Sequence, residues 1–217
     1  MKIQIQDAEV SYFSEFLTEQ ESQELAATLA KETPWQQQVL KMYGKEIKTP
    51  RLTAWYGDPE TTYSFSGTTF VPNTWTPALW EIKQQVESLS GQTFNSVLLN
   101  LYRDGQDSVG WHSDDEPELG EDPIIASVSL GATRKFKLRH KTTKQTKDWE
   151  LQNGTLLVMG SGTQPNWEHS VPKTAKEKGW RINLTFRTIH NQSLAMIDYN
   201  DPEIQQGILE EELAKLK

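Results

Sequence analysis

Arg181-Ile182-Asn183-Leu184-Thr185-Phe186-Arg187 alternates polar and apolar side chains without a break. In a pleated strand successive side chains point to opposite faces. This stretch would therefore present Arg181, Asn183, Thr185 and Arg187 on one side and Ile182, Leu184 and Phe186 on the other. Toward the N-terminus, further short β-rich runs occupy residues 155–159, 135–140, 124–130 and 94–102, punctuated by glycines and polar clusters. The succession without intervening helices predicts an antiparallel sandwich or barrel rather than alternating βαβ units. By itself, the polar row fits the solvated face of an edge strand as well as the lining of a site.

Upstream of residue 94 the pattern is mixed α/β. Thr18 and Glu21 form a Ser/Thr-x-x-Glu capping pattern ahead of Leu25 and Leu29, which predicts a helix starting at Thr18 and ending near Thr33-Pro34. Thr76-Pro77 offers an N-cap followed by proline at the first helical position. The second helix then runs through Leu79, Ile82, Val86 and Leu89, stops at Gly91, and packs its apolar stripe on a sheet. Between the helices, residues 39–56 read as strands around a turn at Tyr43-Gly44-Lys45, with strand composition at 51–56. A last helix is expected from Asp201-Pro202, with Ile204, Ile208, Leu209, Leu213 and Leu216 on one face.

At 217 residues the chain suits one large domain. It contains no cysteine, which excludes disulfides, thiolate nucleophiles, cysteine-ligated zinc and iron-sulfur clusters, so any metal must sit on His, Asp or Glu. No apolar stretch has the length of a membrane span, and Met1-Lys2-Ile3-Gln4 lacks the apolar core of a secretion signal. The expected location is therefore cytoplasmic, or nuclear in a eukaryote. The net charge of −8 argues against a protein that coats nucleic acid nonspecifically. One segment departs from that balance: Arg134, Lys135, Lys137, Arg139, Lys141, Lys144 and Lys147 occur with no acidic residue between them.

His112-Ser113-Asp114 places two potential ligands at i and i+2, where an extended backbone turns both to one face. Of the other histidines, His140, His169 and His190, His169 stands out within Trp167-Glu168-His169-Ser170-Val171-Pro172, just upstream of the alternating strand. Two histidines and a carboxylate form the facial triad of non-haem iron(II) oxygenases, which leaves metal positions open. The same donors would accept Mn, Co, Ni or Zn. Without further context, Asp114 to Glu116 could be a solvated acidic loop and His169 a hydrogen-bonded strand residue.

Asn100-Leu101-Tyr102, Asp104-Gly105, His112-Ser113-Asp114-Asp115-Glu116 and Ile125-Ala126-Ser127-Val128-Ser129-Leu130-Gly131 together resemble the central signature of the AlkB family. Residues 154–160, 167–172 and 181–187 follow in that family's order and spacing, and residues 50–58 resemble its upstream segment. The likeness covers roughly residues 34–190 and rests on several separated blocks.

The resemblance implies an α+β, mainly β fold: a double-stranded β-helix (jelly roll) with N-terminal helices supporting the sheet and a C-terminal helix. It implies a single dioxygenase domain over 1–217, with an extension and nucleotide-recognition lid to about residue 90, a catalytic core over about 91–190, and a helical tail over 191–217. The implied cofactors are Fe(II), 2-oxoglutarate and O2. His112, Asp114 and His169 become the iron ligands and catalytic centre, and 2-oxoglutarate falls to Arg181 and Arg187 with Asn100, Tyr102 and Asn183. A dicarboxylate suits arginine, whose planar fork pairs bidentately where lysine offers a point charge.

The implied reaction is oxidative demethylation of bases such as 1-methyladenine and 3-methylcytosine, with succinate, CO2 and formaldehyde released. A stacked base has no access to a buried metal, so the enzyme takes single strands or flips the base. Trp55, Tyr56 and Tyr63 are candidates for contact with it, Tyr56 foremost, and Glu116 matches an acidic position near the base. Arg134 and Arg139 belong to a basic hairpin expected to meet phosphates, and Tyr43 resembles the wedge by which a duplex-acting member fills the vacated gap. The expected partner is alkylated DNA or RNA, with no membrane and a monomeric chain. Alternatives are the same oxidation on a protein, lipid or small molecule, and a noncatalytic jelly-roll module.

Overall fold

Two capping patterns fix the helices. The computed structural model describes residues 2–42, 45–61, 63–65, 68–176 and 179–190. Helix α1 (Glu19–Glu32) carries the complete capping box: Thr18 Oγ1 accepts from the Glu21 N–H at 3.2 Å, and Glu21 accepts from the Thr18 N–H at 2.8 Å. Helix α2 (Pro77–Ser90) starts at Thr76, whose hydroxyl accepts from the Leu79 N–H, and ends at Gly91 with φ +70°, the left-handed conformation glycine takes at low cost. Leu79, Ile82 and Val86 are buried as expected, but Leu89 is 46% exposed and falls outside the stripe.

The strands are β1 (Lys2–Ile5), β2 (Ala8–Phe13), β3 (Val39–Met42), β4 (Lys45–Lys48), β5 (Leu52–Gly57), β6 (Tyr63–Phe65), β7 (Thr68–Phe70), β8 (Ser96–Tyr102), β9 (Val109–His112), β10 (Ile125–Gly131), β11 (Arg134–His140), β12 (Thr146–Leu151), β13 (Thr155–Met159), β14 (Trp167–Val171) and β15 (Arg181–Arg187). A one-turn helix α3 (Thr163–Asn166) precedes β14. Seven strands form the larger sheet in the order β1-β2-β13-β10-β15-β8-β5, and four form the smaller in the order β12-β11-β14-β9. Every pairing within these two sheets is antiparallel. This is the mainly β, jelly-roll arrangement expected. The N-terminal third joins it directly, β2 pairing with β13 and β5 with β8.

The alternation in β15 divides the molecule into two cores. Ile182, Leu184 and Phe186 join Leu29 of α1 and Leu79, Ile82 and Val86 of α2 in one apolar cluster on the helix-covered face of the larger sheet. A second cluster, with Phe136, Leu138, Leu157, Met159 and Trp167 among its members, fills the space between the sheets. Arg181, Asn183, Thr185 and Arg187 take the opposite parity to the first cluster and border a cavity beside the second. The C-terminal helix expected after Asp201 lies outside the described residues, as does Tyr43.

Candidate active site

A cavity of about 660 Å³ opens between the two sheets, within the range of small-molecule sites. Strand register explains its chemistry. In the smaller sheet His169 of β14 pairs directly with His112 at the end of β9, and their ring centroids lie 4.2 Å apart. Asp114 follows two residues beyond β9. One donor atom each from His112, Asp114 and His169 lies within 4.8 Å of the other two.

The surroundings set these groups for metal ligation. His112 Nδ1 lies 2.9 Å from the Gly110 carbonyl, an acceptor that requires a proton on Nδ1 and leaves the Nε2 lone pair available. His169 is buried, which pushes its pKa down to about 4, so near neutral pH it is an uncharged donor. Burial works against ionisation of Asp114, yet the charges around it, Arg187 foremost, hold its carboxyl below the usual carboxylate range. Arg187 Nη2 donates to Asp114 Oδ1, while Oδ2 stands 3.7 Å from His169 Nε2. A neutral imidazole, a second with its tautomer fixed and an enforced carboxylate suit a divalent cation.

The larger sheet supplies a second row of polar side chains to the cavity. β15 lies between β10 and β8, so Arg181 pairs with Tyr102, and Asn183 lies between Asn100 and Ser129. Arg181 is 1% exposed, and its burial pushes the guanidinium below the ordinary arginine value. Its Nη2 donates to Ser129 Oγ at 2.9 Å, whereas Nε and Nη1 have no hydrogen-bond partner among the described residues; the same holds for Arg187 Nε. Buried charged donors without acceptors are costly, and a dicarboxylate would satisfy them. Asn183 Nδ2 donates to Ser127 Oγ at 2.8 Å, and Asn100 Oδ1 accepts from Arg51 Nε at 2.8 Å. The residues thus fit Fe(II) and 2-oxoglutarate: His112, Asp114 and His169 for the metal, Arg181 and Arg187 for the carboxylates.

Trp55 and Glu116 line the same cavity. Trp55 is held by its Nε1, which donates to Ser96 Oγ at 2.6 Å. Two sequence expectations need correction. Tyr56 has the opposite parity to Trp55 in β5; it is 3% exposed and packs in the helix-side core, away from the cavity. Arg134 is not a rim cation. It is 1% exposed and donates to the carbonyls of Asp104, Asp107 and Pro172, tying the β8–β9 loop to the β14–β15 loop. Arg139 lies on the outer face of the smaller sheet, its Nε 2.6 Å from Glu168 and its guanidinium 4.3 Å from the Trp111 ring centre. Tyr63 lies in β6, which pairs with β7.

Sequence reading missed Ser127 and Ser129, which orient Asn183 and Arg181; their alternation within residues 124–130 carried that signal. It also missed Gln164, whose Oε1 accepts from the Asp114 N–H at 2.9 Å and which no local pattern marks.

A family model described as the 2OG-Fe(II) oxygenase superfamily matches residues 9–187. The chain is 43% identical over 191 residues to the "Alpha-ketoglutarate-dependent dioxygenase alkB homolog 3" of Rattus norvegicus, an alignment covering 83% of this chain and 64% of that protein. It is 41% identical over 179 residues to the "DNA oxidative demethylase ALKBH2" of Mus musculus, covering 79% of this chain and 72% of the relative. The chain thus spans slightly less than two thirds of the rat relative's length. Among solved structures, that of OsALKBH1 superposes with a TM-score of 0.60 at 19% identity, covering 86% of this chain and 100% of the other, which is a likeness of fold.

Proposed function

Because this chain belongs to the 2OG-Fe(II) oxygenase superfamily and, within it, to the AlkB-type dioxygenases, we propose that it oxidatively removes small alkyl groups from nucleic-acid bases such as 1-methyladenine and 3-methylcytosine. The observation that carries the reading is a single cavity. It is bordered by the His112-Asp114-His169 triad, by Arg181 and Arg187, and by Trp55 and Glu116.

Fe(II) with 2-oxoglutarate and O2 supplies the oxidising chemistry, in which the dicarboxylate leaves as succinate and CO2 and an N-methyl carbon leaves as formaldehyde. The protein's part is positioning and exclusion of water. Arg181 would hold one carboxylate of the dicarboxylate, and Asn183, locked by Ser127, keeps its polar edge in a fixed place. Arg187 divides its charge between Asp114 and the cavity, which preserves Asp114 as an anion while the site fills. Phe136, Met159 and Val171 line the same cavity as the triad and would give the reacting carbon an apolar surround. A flipped or single-stranded base enters beside Trp55, whose indole offers a flat apolar face, and Glu116 can accept from an exocyclic amine.

The test is formaldehyde and repaired-base formation from single-stranded and duplex oligonucleotides carrying 1-methyladenine or 3-methylcytosine, with and without Fe(II) and 2-oxoglutarate. Repair that requires both is the expected result. Consumption of 2-oxoglutarate with no base repaired would leave the oxidation standing and move the substrate to a protein, lipid or small molecule.

A further inference from the structure

We propose that the one-turn helix α3 clamps the His-x-Asp loop, with Gln164 as the positioning residue that sets Asp114 for the metal. The inference rests on the metal reading of the triad and is independent of the substrate proposed above. Asp114 is the ligand that needs such a device. His112 and His169 sit in paired strands, whereas β9 ends at His112 and leaves Asp114 on a loop.

Three consecutive residues of that loop are tied to one short segment. Ser113 Oγ donates to the Trp167 carbonyl at 3.0 Å. The Asp114 N–H donates to Gln164 Oε1 at 2.9 Å. Lys141 Nζ joins the Gln164 carbonyl at 2.8 Å to Asp115 Oδ2 at 3.3 Å. Gln164 is wholly buried, so its carboxamide has no water to turn to, and its Nε2 lies 3.6 Å from Met159 Sδ.

The clamp is itself held by the turn between β1 and β2 and by the start of β2. Thr163 Oγ1 donates to the Glu9 carbonyl at 3.1 Å, Asn166 Nδ2 to that of Asp7 at 3.1 Å, and Trp167 Nε1 to that of Gln6 at 2.8 Å. Gly162, with φ +78°, passes so close to this turn that a Cβ would lie 2.1 Å from the Asp7 oxygen. With α3 pinned, the loop conforms to the helix. Arg187 holds Oδ1 of Asp114 and Gln164 holds its main chain, so Oδ2 is left facing His169.

Gln164→Met is the decisive variant, because it keeps the side chain's length and removes the acceptor. The readouts are the Kd for Mn(II) or Co(II), titrated into metal-free protein, and the Tm of that metal-free protein. Outer partners of metal ligands typically contribute about 10- to 100-fold in affinity, so a loss of that size with Tm within a few degrees of wild type is expected. Affinity within twofold of wild type would overturn the clamp. Should Gln164→Met fail to fold, Ser113→Ala decides on the same readouts: a loss of about tenfold supports the clamp and unchanged affinity overturns it. Wild-type protein that takes up neither metal would refute the ligand assignment, and the clamp would fall with it.

Discussion

Replacing Arg181 with methionine should separate binding from stability. The residue is 1% exposed, and two of its guanidinium nitrogens have no acceptor among the described residues. Hydrogen bonds to charged groups contribute about 1.5–3 kcal/mol each, so two donors on one carboxylate amount to about 3–6 kcal/mol. At 1.36 kcal/mol per tenfold, Arg181→Met should weaken 2-oxoglutarate binding by about 10²- to 10⁴-fold. The ligand-free protein should respond with the opposite sign. A buried cation lacking a full set of partners costs desolvation energy, and a packed apolar side chain of similar length relieves it, offset by about 1 kcal/mol for the lost Ser129 bond. Thermal melting of the ligand-free variant should therefore match or exceed wild type, while calorimetric titration of 2-oxoglutarate into the Mn(II)-loaded variant shows little heat. Binding within tenfold of wild type would refute the assignment of Arg181 to the carboxylate. A melting point far below wild type would show that the guanidinium serves the fold.

Acid should destabilise the metal-free protein before it titrates most carboxylates. With His169 near 4 when folded and at an ordinary 6.5 when unfolded, the unfolded chain takes the proton first, so stability present above about pH 6.5 is lost as pH falls through 4. The span corresponds to about 3 kcal/mol, or roughly 6–12 °C in Tm, and a flat melting profile between pH 7 and 4.5 would count against a buried neutral imidazole. In oligonucleotide assays Trp55→Ala should raise KM several-fold while Tyr56→Phe leaves it within twofold, and equal effects would undo the parity argument for β5. Plotted as log Kd against log salt, oligonucleotide binding should have a shallow slope equivalent to about one to three phosphate contacts, and a slope several-fold steeper would show that the basic hairpin grips the backbone.

How much of this was legible depended on whether the signal was local. The caps of α1 and α2 are written in a few adjacent residues, and both helix boundaries followed from Thr18-x-x-Glu21, Thr76-Pro77 and Gly91. The two faces of β15 were legible because its alternation is unbroken. β9 and β14 are short, their pairing contains a register irregularity, and neither carries a comparable pattern. Tyr56 was misplaced because Trp55 and Tyr56 are adjacent aromatics, and composition gives no means of choosing which faces the cavity. Arg134 was grouped with its charged neighbours, although its parity with Phe136 and Leu138 places it among buried residues. Gln164 meets Asp114 across 50 residues of chain, a separation no local spacing rule reaches.

The acidic balance of the chain bears on which substrates it can work with. Within the basic run, Lys135 pairs with Asp148 and Glu150, Arg139 with Glu168, Lys141 with Asp115, and Arg134 is buried. Much of the positive charge is therefore already matched, and on the proposed reading nonspecific phosphate neutralisation should contribute little to holding a strand. Extruding a base costs a few kcal/mol, least when its pairing is already broken. Without strong backbone attraction, that cost must be met by contacts inside the cavity. Alkylation on the pairing edge reduces it at the outset, since 1-methyladenine and 3-methylcytosine no longer form their normal pairs. On the proposed reading, selectivity then arises ahead of any contact with the methyl group: bases that leave the stack cheaply reach Trp55 and the metal triad, and intact pairs stay outside.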